Sequence, residues 1–146
     1  MSTLLKPGIA LAIAALFCHS AAAQQPAAPD SVVQAQLDAY NERDLERFLS
    51  IYSEGAELYA FPAALQTKGK AAIRQRYQPR FADAKLGVKL VNRIVQGNIV
   101  IDQERVHVTL PDGPGVIETI VIYEVRGAQI VKATLLPGRT LQGEKL

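Results

Sequence analysis

The side chain best suited to proton transfer near neutral pH is His107, one of two histidines in the chain. An imidazole titrates close to neutrality, so His107 could act as an acid or a base in a pocket. It could equally lie on an exposed or subunit-contacting face of its strand. Asp102 and Glu104 come just before it, and strand alternation places both carboxylates on one face and His107 on the other.

Hydroxyl groups form a second set of candidates. Tyr59, Tyr77 and Tyr123 could place polar anchors in an otherwise apolar ligand pocket. Tyrosines also pack in a core or at its rim with the hydroxyl in water, which is the role expected for Tyr52. Thr119 shares one strand face with Tyr123.

Charged residues form a third set. Arg74, Arg76 and Arg80 could attract an anionic ligand, although arginines at these spacings commonly form a solvated helix face with salt bridges. Glu118 and Glu124 share a strand face and could form a catalytic carboxylate pair. An exposed sheet face with scattered charge explains the same pattern more simply.

The first 23 residues have the pattern of a secretory signal peptide. Lys6 precedes an apolar run over 9–17, and Ala21-Ala22-Ala23 is a typical cleavage site. The run is too short for a permanent membrane span, and Phe17 before Cys18 disfavours a lipid anchor. We therefore expect a periplasmic or secreted protein, cleaved near Ala23, without a stable membrane anchor and with a flexible leader over 24–30.

The composition of the mature chain excludes several classes of function. Cleavage leaves about 120 residues, the size of one domain, with 15 basic and 14 acidic side chains. This balance gives no electrostatic basis for binding nucleic acid. Cys18 and His19 leave with the signal, so no thiolate or histidine cluster remains for zinc, and neither a metal nor a cofactor is expected.

The helices that must position these residues come early. Ser31 and Gln34 fit a capping box for a first helix over 31–41. Asp44 can cap a second helix whose apolar face extends to Tyr52. A short strand over 57–61 and a third helix over 70–77, stopped by Pro79, follow.

From about residue 85 the apolar pattern alternates with a period of two. It predicts four strands joined by tight turns, at 85–94, 99–110, 116–125 and 130–136, with a polar tail over 138–146. Helices followed by hairpin-linked strands predict an α+β domain over 31–137. Three helices would pack on the concave face of a curved, mostly antiparallel sheet.

Three stretches carry a resemblance to a known family: the segments over 39–46, 69–74 and 123–127. In this order they resemble the SnoaL-like branch of the nuclear transport factor 2-like superfamily, which includes the ketosteroid isomerases. The similarity covers about 31–136. It implies a cone-shaped fold with a deep apolar pocket at one end, and a homodimer formed through the exposed sheet face.

The catalytic residues of the isomerases are not retained. Aligning the motifs puts Ala60 at the position of the base, Gln36 at the oxyanion-hole tyrosine and Val121 at the neutral acid. Alanine cannot accept a proton and valine cannot donate one, which argues against steroid isomerisation by that mechanism. Tyr52 and Tyr77 match positions that support the oxyanion tyrosine.

Related epoxide hydrolases use an Asp-Arg-Asp arrangement to activate water. Asp102, Glu104 and Arg105 are suitable residue types, but alternation turns Arg105 away from the two carboxylates.

The sequence leaves two classes of function open. One is a module that binds a small hydrophobic organic molecule. The other is a cofactor-independent acid/base enzyme, an isomerase, dehydratase or hydrolase, with His107 as its catalytic residue. In both cases we expect the ligand to contact Tyr52, Tyr59, Tyr77, Thr119, Val121 and Tyr123.

Overall fold

The computed structural model describes residues 27–143. The predicted signal peptide and the first residues of the leader lie outside this range. The described chain forms, in order, α1 (Pro29–Asn41), α2 (Leu45–Ser50), β1 (Tyr52–Ala60), β2 (Ala64–Lys68), α3 (Lys70–Phe81), β3 (Gly87–Gln96), β4 (Ile99–Leu110), β5 (Gly113–Arg126) and β6 (Gln129–Gln142).

The six strands form one sheet in the order β2-β1-β6-β5-β4-β3. Only the contact between β1 and β6 is parallel among the described strands, and every other neighbouring pair is antiparallel. The helices pack against this sheet. The predicted α+β class, with three helices on a mostly antiparallel sheet, is confirmed.

An aromatic cluster joins the helices to the sheet. The ring of Phe48 lies 4.9 Å from that of Tyr77 and 5.0 Å from that of Tyr52, measured between centroids. Tyr40 and Phe81 complete the cluster. Fully buried aromatic side chains each contribute about 1.5–3 kcal/mol through the hydrophobic effect. The cluster therefore fixes the helices over one end of the sheet.

The start of the first helix differs from the sequence prediction. The helix begins at Pro29 after Ala28, and no side chain caps it, so the Ser31–Gln34 capping box is wrong. Proline is favoured at the first helical position because its missing N–H needs no partner there. Pro29 and Asp30, which were predicted to belong to the leader, are thus the first two residues of the helix. Asp44, in contrast, caps α2 as predicted, accepting from the Arg47 amide at 3.0 Å.

Three other boundaries differ. Tyr52 begins β1 rather than ending the second helix, and strand β2 was not predicted. The third helix continues through Pro79 to Phe81. The burial of Tyr77 and the ring contacts of Phe81 offset the hydrogen bond that a proline removes from the last turn.

The last strand is longer than predicted. β6 continues to Gln142 through the start of the expected polar tail, because Leu141 pairs with Val116 and Gln142 with Gly115. Backbone pairing with β5 determines this segment, which has few apolar residues of its own. The sheet therefore extends beyond the strand that hydrophobic alternation indicated.

The end of α1 is tied to β3 by Asn41. Its side-chain amide donates to the Val88 carbonyl at 3.1 Å, and its carbonyl oxygen accepts from the Val88 amide at 2.6 Å. We expect Asn41→Ala to lower the free energy of unfolding by about 1–2 kcal/mol, because two hydrogen bonds are lost. Urea denaturation would measure this, with the exposed Asn92→Ala as the control. Equal stability of the two variants would contradict the prediction.

Candidate functional site

A two-part cavity lies between the helices and the sheet. The outer chamber has a volume of about 330 Å³ and the inner chamber about 60 Å³. The two chambers adjoin, since they share five wall residues: Tyr77, Arg80, Val106, Thr119 and Leu135. The outer volume falls within the range of small-molecule pockets, which begins at about 300 Å³.

The inner chamber contains a carboxyl group, that of Glu104. Along β4 the alternating residues Val100, Asp102, Glu104 and Val106 are buried towards the helices. Glu104 is only 5 % exposed and lies on the chamber wall with Tyr52, Tyr77 and Tyr123. A titratable group therefore faces the interior, surrounded by aromatic hydroxyls.

Gln36 connects two of these tyrosines. Its amide nitrogen donates to the Tyr52 hydroxyl at 3.4 Å, and its carbonyl oxygen accepts from the Tyr123 hydroxyl at 3.5 Å. The Tyr123 hydroxyl also lies within hydrogen-bonding reach of Glu104. The Tyr123 hydroxyl thus lies between the Gln36 amide and the Glu104 carboxyl group. At 3.4 and 3.5 Å the two hydrogen bonds of Gln36 are long and therefore weak.

Burial raises the pKa of Glu104 to about 8, and the nearby charge of Asp102 acts in the same direction. The Arg93 guanidinium and the Tyr123 hydroxyl oppose this rise without cancelling it. At pH 7 the carboxyl group of Glu104 is therefore mainly protonated. It is a hydrogen-bond donor and a potential proton donor rather than a base.

The surrounding tyrosines are neutral as well. Burial raises the pKa of Tyr40, Tyr52, Tyr77 and Tyr123 above that of a free phenol. Their hydroxyls therefore stay protonated and none can act as a base at neutral pH. Besides the Arg80 guanidinium, the inner chamber therefore offers a set of neutral hydrogen-bond donors.

The second buried carboxylate, Asp102, is fully engaged. Arg93 holds it with two hydrogen bonds of 2.7 Å, from Nε and from a terminal guanidinium nitrogen. Asp102 is 0 % exposed, and the Arg93 side chain is 15 % exposed. The same guanidinium donates to Gln34 Oε1 at 3.0 Å. Asp102 is thus a structural anion and lines neither chamber.

The outer chamber has a charged rim. Tyr59, Gln66, Arg76 and Arg80 lie on its wall with the apolar side chain of Ile117. The Tyr59 hydroxyl donates to Glu57 at 2.7 Å, so it is already partnered. The guanidinium groups of the two arginines therefore provide the positive charge at this rim.

The structure places all six residues expected to contact the ligand on the cavity wall. Tyr59 lines only the outer chamber, and Tyr77 and Thr119 line both chambers. The inner chamber is lined, in addition, by Tyr52, Val121 and Tyr123. Their role in binding a ligand stays a prediction. Ala60 and Gln36, at two positions where the isomerases carry catalytic groups, also lie on the wall.

His107 lies elsewhere. It pairs with Gly87 and Val116 across the sheet, alternates away from Val106, and lines neither chamber, although it is only 7 % exposed. Its position gives no support to the catalytic role expected from the sequence. The two acidic residues that precede His107 on β4 have different surroundings. Glu104 faces the cavity, whereas Asp102 is held by Arg93.

Sequence patterns pointed to neither Tyr40 nor Arg93, and to Gln36 only as the residue at the position of the isomerases' oxyanion-hole tyrosine. Gln36 follows the helical spacing of Val33 and Tyr40 and could have been placed on the same buried face. Arg93 gave no such signal, because its partner depends on the register of two strands. Every buried polar side-chain atom of the described residues has a hydrogen-bond partner.

The described residues contain neither a candidate metal cluster nor a candidate membrane-spanning helix. Residues 27–143 contain no group of three or more His, Cys, Asp or Glu side chains that could hold a metal ion. In the same range no helix is long and apolar enough to cross a membrane.

A family model described as a SnoaL-like domain matches residues 33–133, most of the described chain. The chain belongs to the SnoaL-like domain family. A comparison with curated protein sequences finds no significant match. The family assignment therefore rests on the domain model and agrees with the resemblance drawn from the sequence motifs.

Solved structures share the fold of this SnoaL-like domain at low sequence identity. An uncharacterised cystatin-fold protein from Novosphingobium aromaticivorans has a TM-score of 0.66 at 16% identity, over 75% of this chain and 97% of its own. A protein with a ketosteroid isomerase-like fold from Catenulispora acidiphila, in complex with trimethylamine, has a TM-score of 0.62 at 13% identity, over 72% and 83%.

A third structure is that of SalBIII, an epoxide hydrolase/cyclase-like enzyme with a role in pyran ring formation in the polyether salinomycin. It has a TM-score of 0.68 at 15% identity, over 75% of this chain and 90% of its own. At these identities the three structures show the common fold and nothing about the chemistry of this chain.

Proposed function

We propose that this SnoaL-like domain binds a small, largely apolar organic molecule in the two-part cavity. The observation that carries the proposal is a cavity whose outer chamber has a mainly apolar wall and whose inner end carries a cluster of neutral donors. Ligand pockets commonly combine these two features, since apolar area supplies affinity and a few polar groups fix orientation.

The polar groups indicate what part of a ligand reaches the inner end. Glu104 is protonated at pH 7 and the tyrosines are neutral, so the chamber offers O–H donors and no free anion. A carbonyl or ether oxygen accepts from such donors, whereas a cation finds no charged partner. The inner chamber, which Arg80 also lines, is therefore suited to an oxygen acceptor rather than to a cation.

Thr119 provides a direct test because it lines both chambers. Thr119→Phe should weaken binding of the neutral fluorescent probe N-phenyl-1-naphthylamine at least tenfold (about 1.4 kcal/mol), since the ring occupies the passage between the chambers. The measurement is a saturable fluorescence titration. Thr140→Phe is the control, because Thr140 is exposed on β6 and lines neither chamber. Equal affinity of both variants would overturn the proposed site.

An acid/base enzyme is the second candidate, and Glu104 is the observation that favours it. A carboxyl group with a pKa near neutrality, on the wall of a pocket, is a frequent feature of active sites. The part of the chain that the structure describes supplies no complementary base to the chamber, however, because Asp102 is paired and the tyrosines are protonated. Glu104 could supply a proton, which limits the reaction to one assisted by acid.

The two classes are separated by Glu104→Gln. A binding module should keep its affinity within a few fold, because an amide still donates a hydrogen bond. An enzyme that uses the proton of Glu104 should lose turnover of any substrate found by screening.

Export and a homodimer stay proposals. Export rests on the pattern of residues 1–23. The homodimer rests on an outer sheet face where the cross-strand partners Ile120 and Leu136 are partly exposed.

A further inference from the structure

Two arginines of α3 lie on the cavity wall. Arg76 and Arg80 are four residues apart and therefore project from the same side of the helix. Both line the outer chamber, and Arg80 also lines the inner one. The sequence grouped them with Arg74, but Arg74 lines neither chamber.

The three arginines also differ in their partners. Arg74 forms an ion pair with Glu46 through two hydrogen bonds, one of them 2.7 Å long. Within residues 27–143, neither Arg76 nor Arg80 forms an ion pair with a carboxylate. The cavity wall therefore carries positive charges that the fold does not neutralise.

The contacts that these two side chains do make are with neutral groups. Arg80 reaches the Tyr40 hydroxyl, and Arg76 reaches that of Tyr77. Asp83 is the acid that influences Arg80 electrostatically, but its carboxylate already accepts from the Thr109 amide and hydroxyl at 2.7 and 2.8 Å. Several guanidinium N–H groups therefore stay available for a ligand.

The charges of the buried acids do not balance this pair. Asp102 is neutralised by Arg93, and Glu104 carries a proton at pH 7 because burial raises its pKa to about 8. The cavity walls are therefore net positive at neutral pH. A low-dielectric wall strengthens the attraction of such charges for an anion.

We propose that the ligand is an organic acid, whose carboxylate or sulfonate binds Arg76 and Arg80 while its apolar body lies against Val106 and Leu135. The inference rests on the proposed binding function and adds the charge of the ligand. Planar guanidinium groups can bind such an anion through two parallel hydrogen bonds, which fixes its orientation at the chamber.

A matched pair of fluorescent probes tests the inference. N-phenyl-1-naphthylamine and 8-anilino-1-naphthalenesulfonate have the same aromatic body, and only the second carries a sulfonate. The wild-type protein should bind the anionic probe more tightly, at low salt, in a saturable titration. Arg76→Gln combined with Arg80→Gln should weaken its binding at least tenfold (about 1.4 kcal/mol) and leave the neutral probe within twofold.

Two further variants locate the effect. Arg74→Gln should change neither affinity, because Arg74 is paired with Glu46 away from the cavity. Arg76→Lys with Arg80→Lys should keep most of the preference, since the charge is retained. This variant also shows whether the helix tolerates replacement of both arginines.

The outcomes distinguish the two proposals. A neutral probe that binds as tightly as the anionic one, or a double Gln variant that weakens both equally, would overturn the charge inference and leave the binding function intact. Loss of anionic binding in Arg74→Gln would assign the effect to the surface and overturn it too. If neither probe saturates, the binding function fails and the inference fails with it.

Discussion

Replacing Arg93 with Met should destabilise the protein by about 3–5 kcal/mol, the usual effect of breaking a buried ion pair. Asp102 is 0 % exposed, and both of its oxygens accept from Arg93 at 2.7 Å. Without the guanidinium, the carboxylate must stay charged without a partner or take up a proton. Both alternatives favour unfolding.

A double-mutant cycle measures the pair directly. Urea denaturation at pH 7 would give the stabilities of Arg93→Met, Asp102→Leu and the double variant. We expect the double variant to be clearly more stable than Arg93→Met, because it removes the unpaired buried charge as well as the attraction. A loss below about 1 kcal/mol in Arg93→Met would show that the pair is solvated like a surface salt bridge.

The pair also affects the cavity. Asp102 raises the pKa of Glu104 and Arg93 lowers it, so the two charges of the ion pair act on Glu104 in opposite directions. Arg93 additionally reaches α1 through Gln34 Oε1 and the Asp30 carbonyl. It therefore holds the first helix on the sheet edge next to the residues that line the inner chamber.

The alternation of side chains along β4 could be predicted from the sequence, but the sequence does not indicate which of the two faces packs against the helices. Asp102 and Glu104 share one face as expected, yet both faces carry apolar residues, with Val100 on one and Ile101 on the other. Two acids on a strand ordinarily mark the exposed face. Asp102 can be buried because it is paired with Arg93, and Glu104 because its raised pKa keeps it protonated. Both conditions arise only in the folded protein.

The partner of Asp102 depends on a strand irregularity. The register between β3 and β4 shifts between Leu90 and Asn92, and this shift brings Arg93 opposite Asp102. Continuing the register of Leu90 with Glu104 would have placed Asn92 there instead. A β-bulge leaves no reliable pattern in a single sequence, so the pair could not have been predicted.

The short strand β2 was missed for a related reason. Its residues 64–68 are mostly exposed, so they show no alternation of buried and polar positions. Backbone pairing with β1 at the sheet edge determines the strand. The fold class, in contrast, depended on longer elements with clear periodicity, such as β4 and β5, and these were predicted within a few residues.

The stability of the wild-type protein should fall as the pH rises from about 4.5 to about 8, through the contribution of Glu104. In the unfolded chain this carboxyl group loses its proton near the ordinary value of 4.5, whereas burial raises the folded pKa to about 8. Between these values the folded state binds more protons than the unfolded state. The free energy of unfolding therefore decreases with pH and levels off above about 8.

The total change corresponds to on the order of 4–5 kcal/mol, a large part of the stability of a domain of this size. Glu104→Gln removes the titration and keeps a hydrogen-bond donor. The difference in stability between this variant and the wild type should therefore grow in favour of the variant from pH 5 to pH 8.5. Urea denaturation at several pH values measures it.

Glu54→Gln provides the matched control, because the Glu54 side chain is 87% exposed and contacts Lys70 at the surface. Its stability difference from the wild type should stay nearly constant over the same range. If the wild type instead gains stability relative to Glu104→Gln as the pH rises, Glu104 is ionised in the folded protein. The inner chamber would then hold an anion, and an oxygen acceptor of hydrogen bonds would no longer suit it.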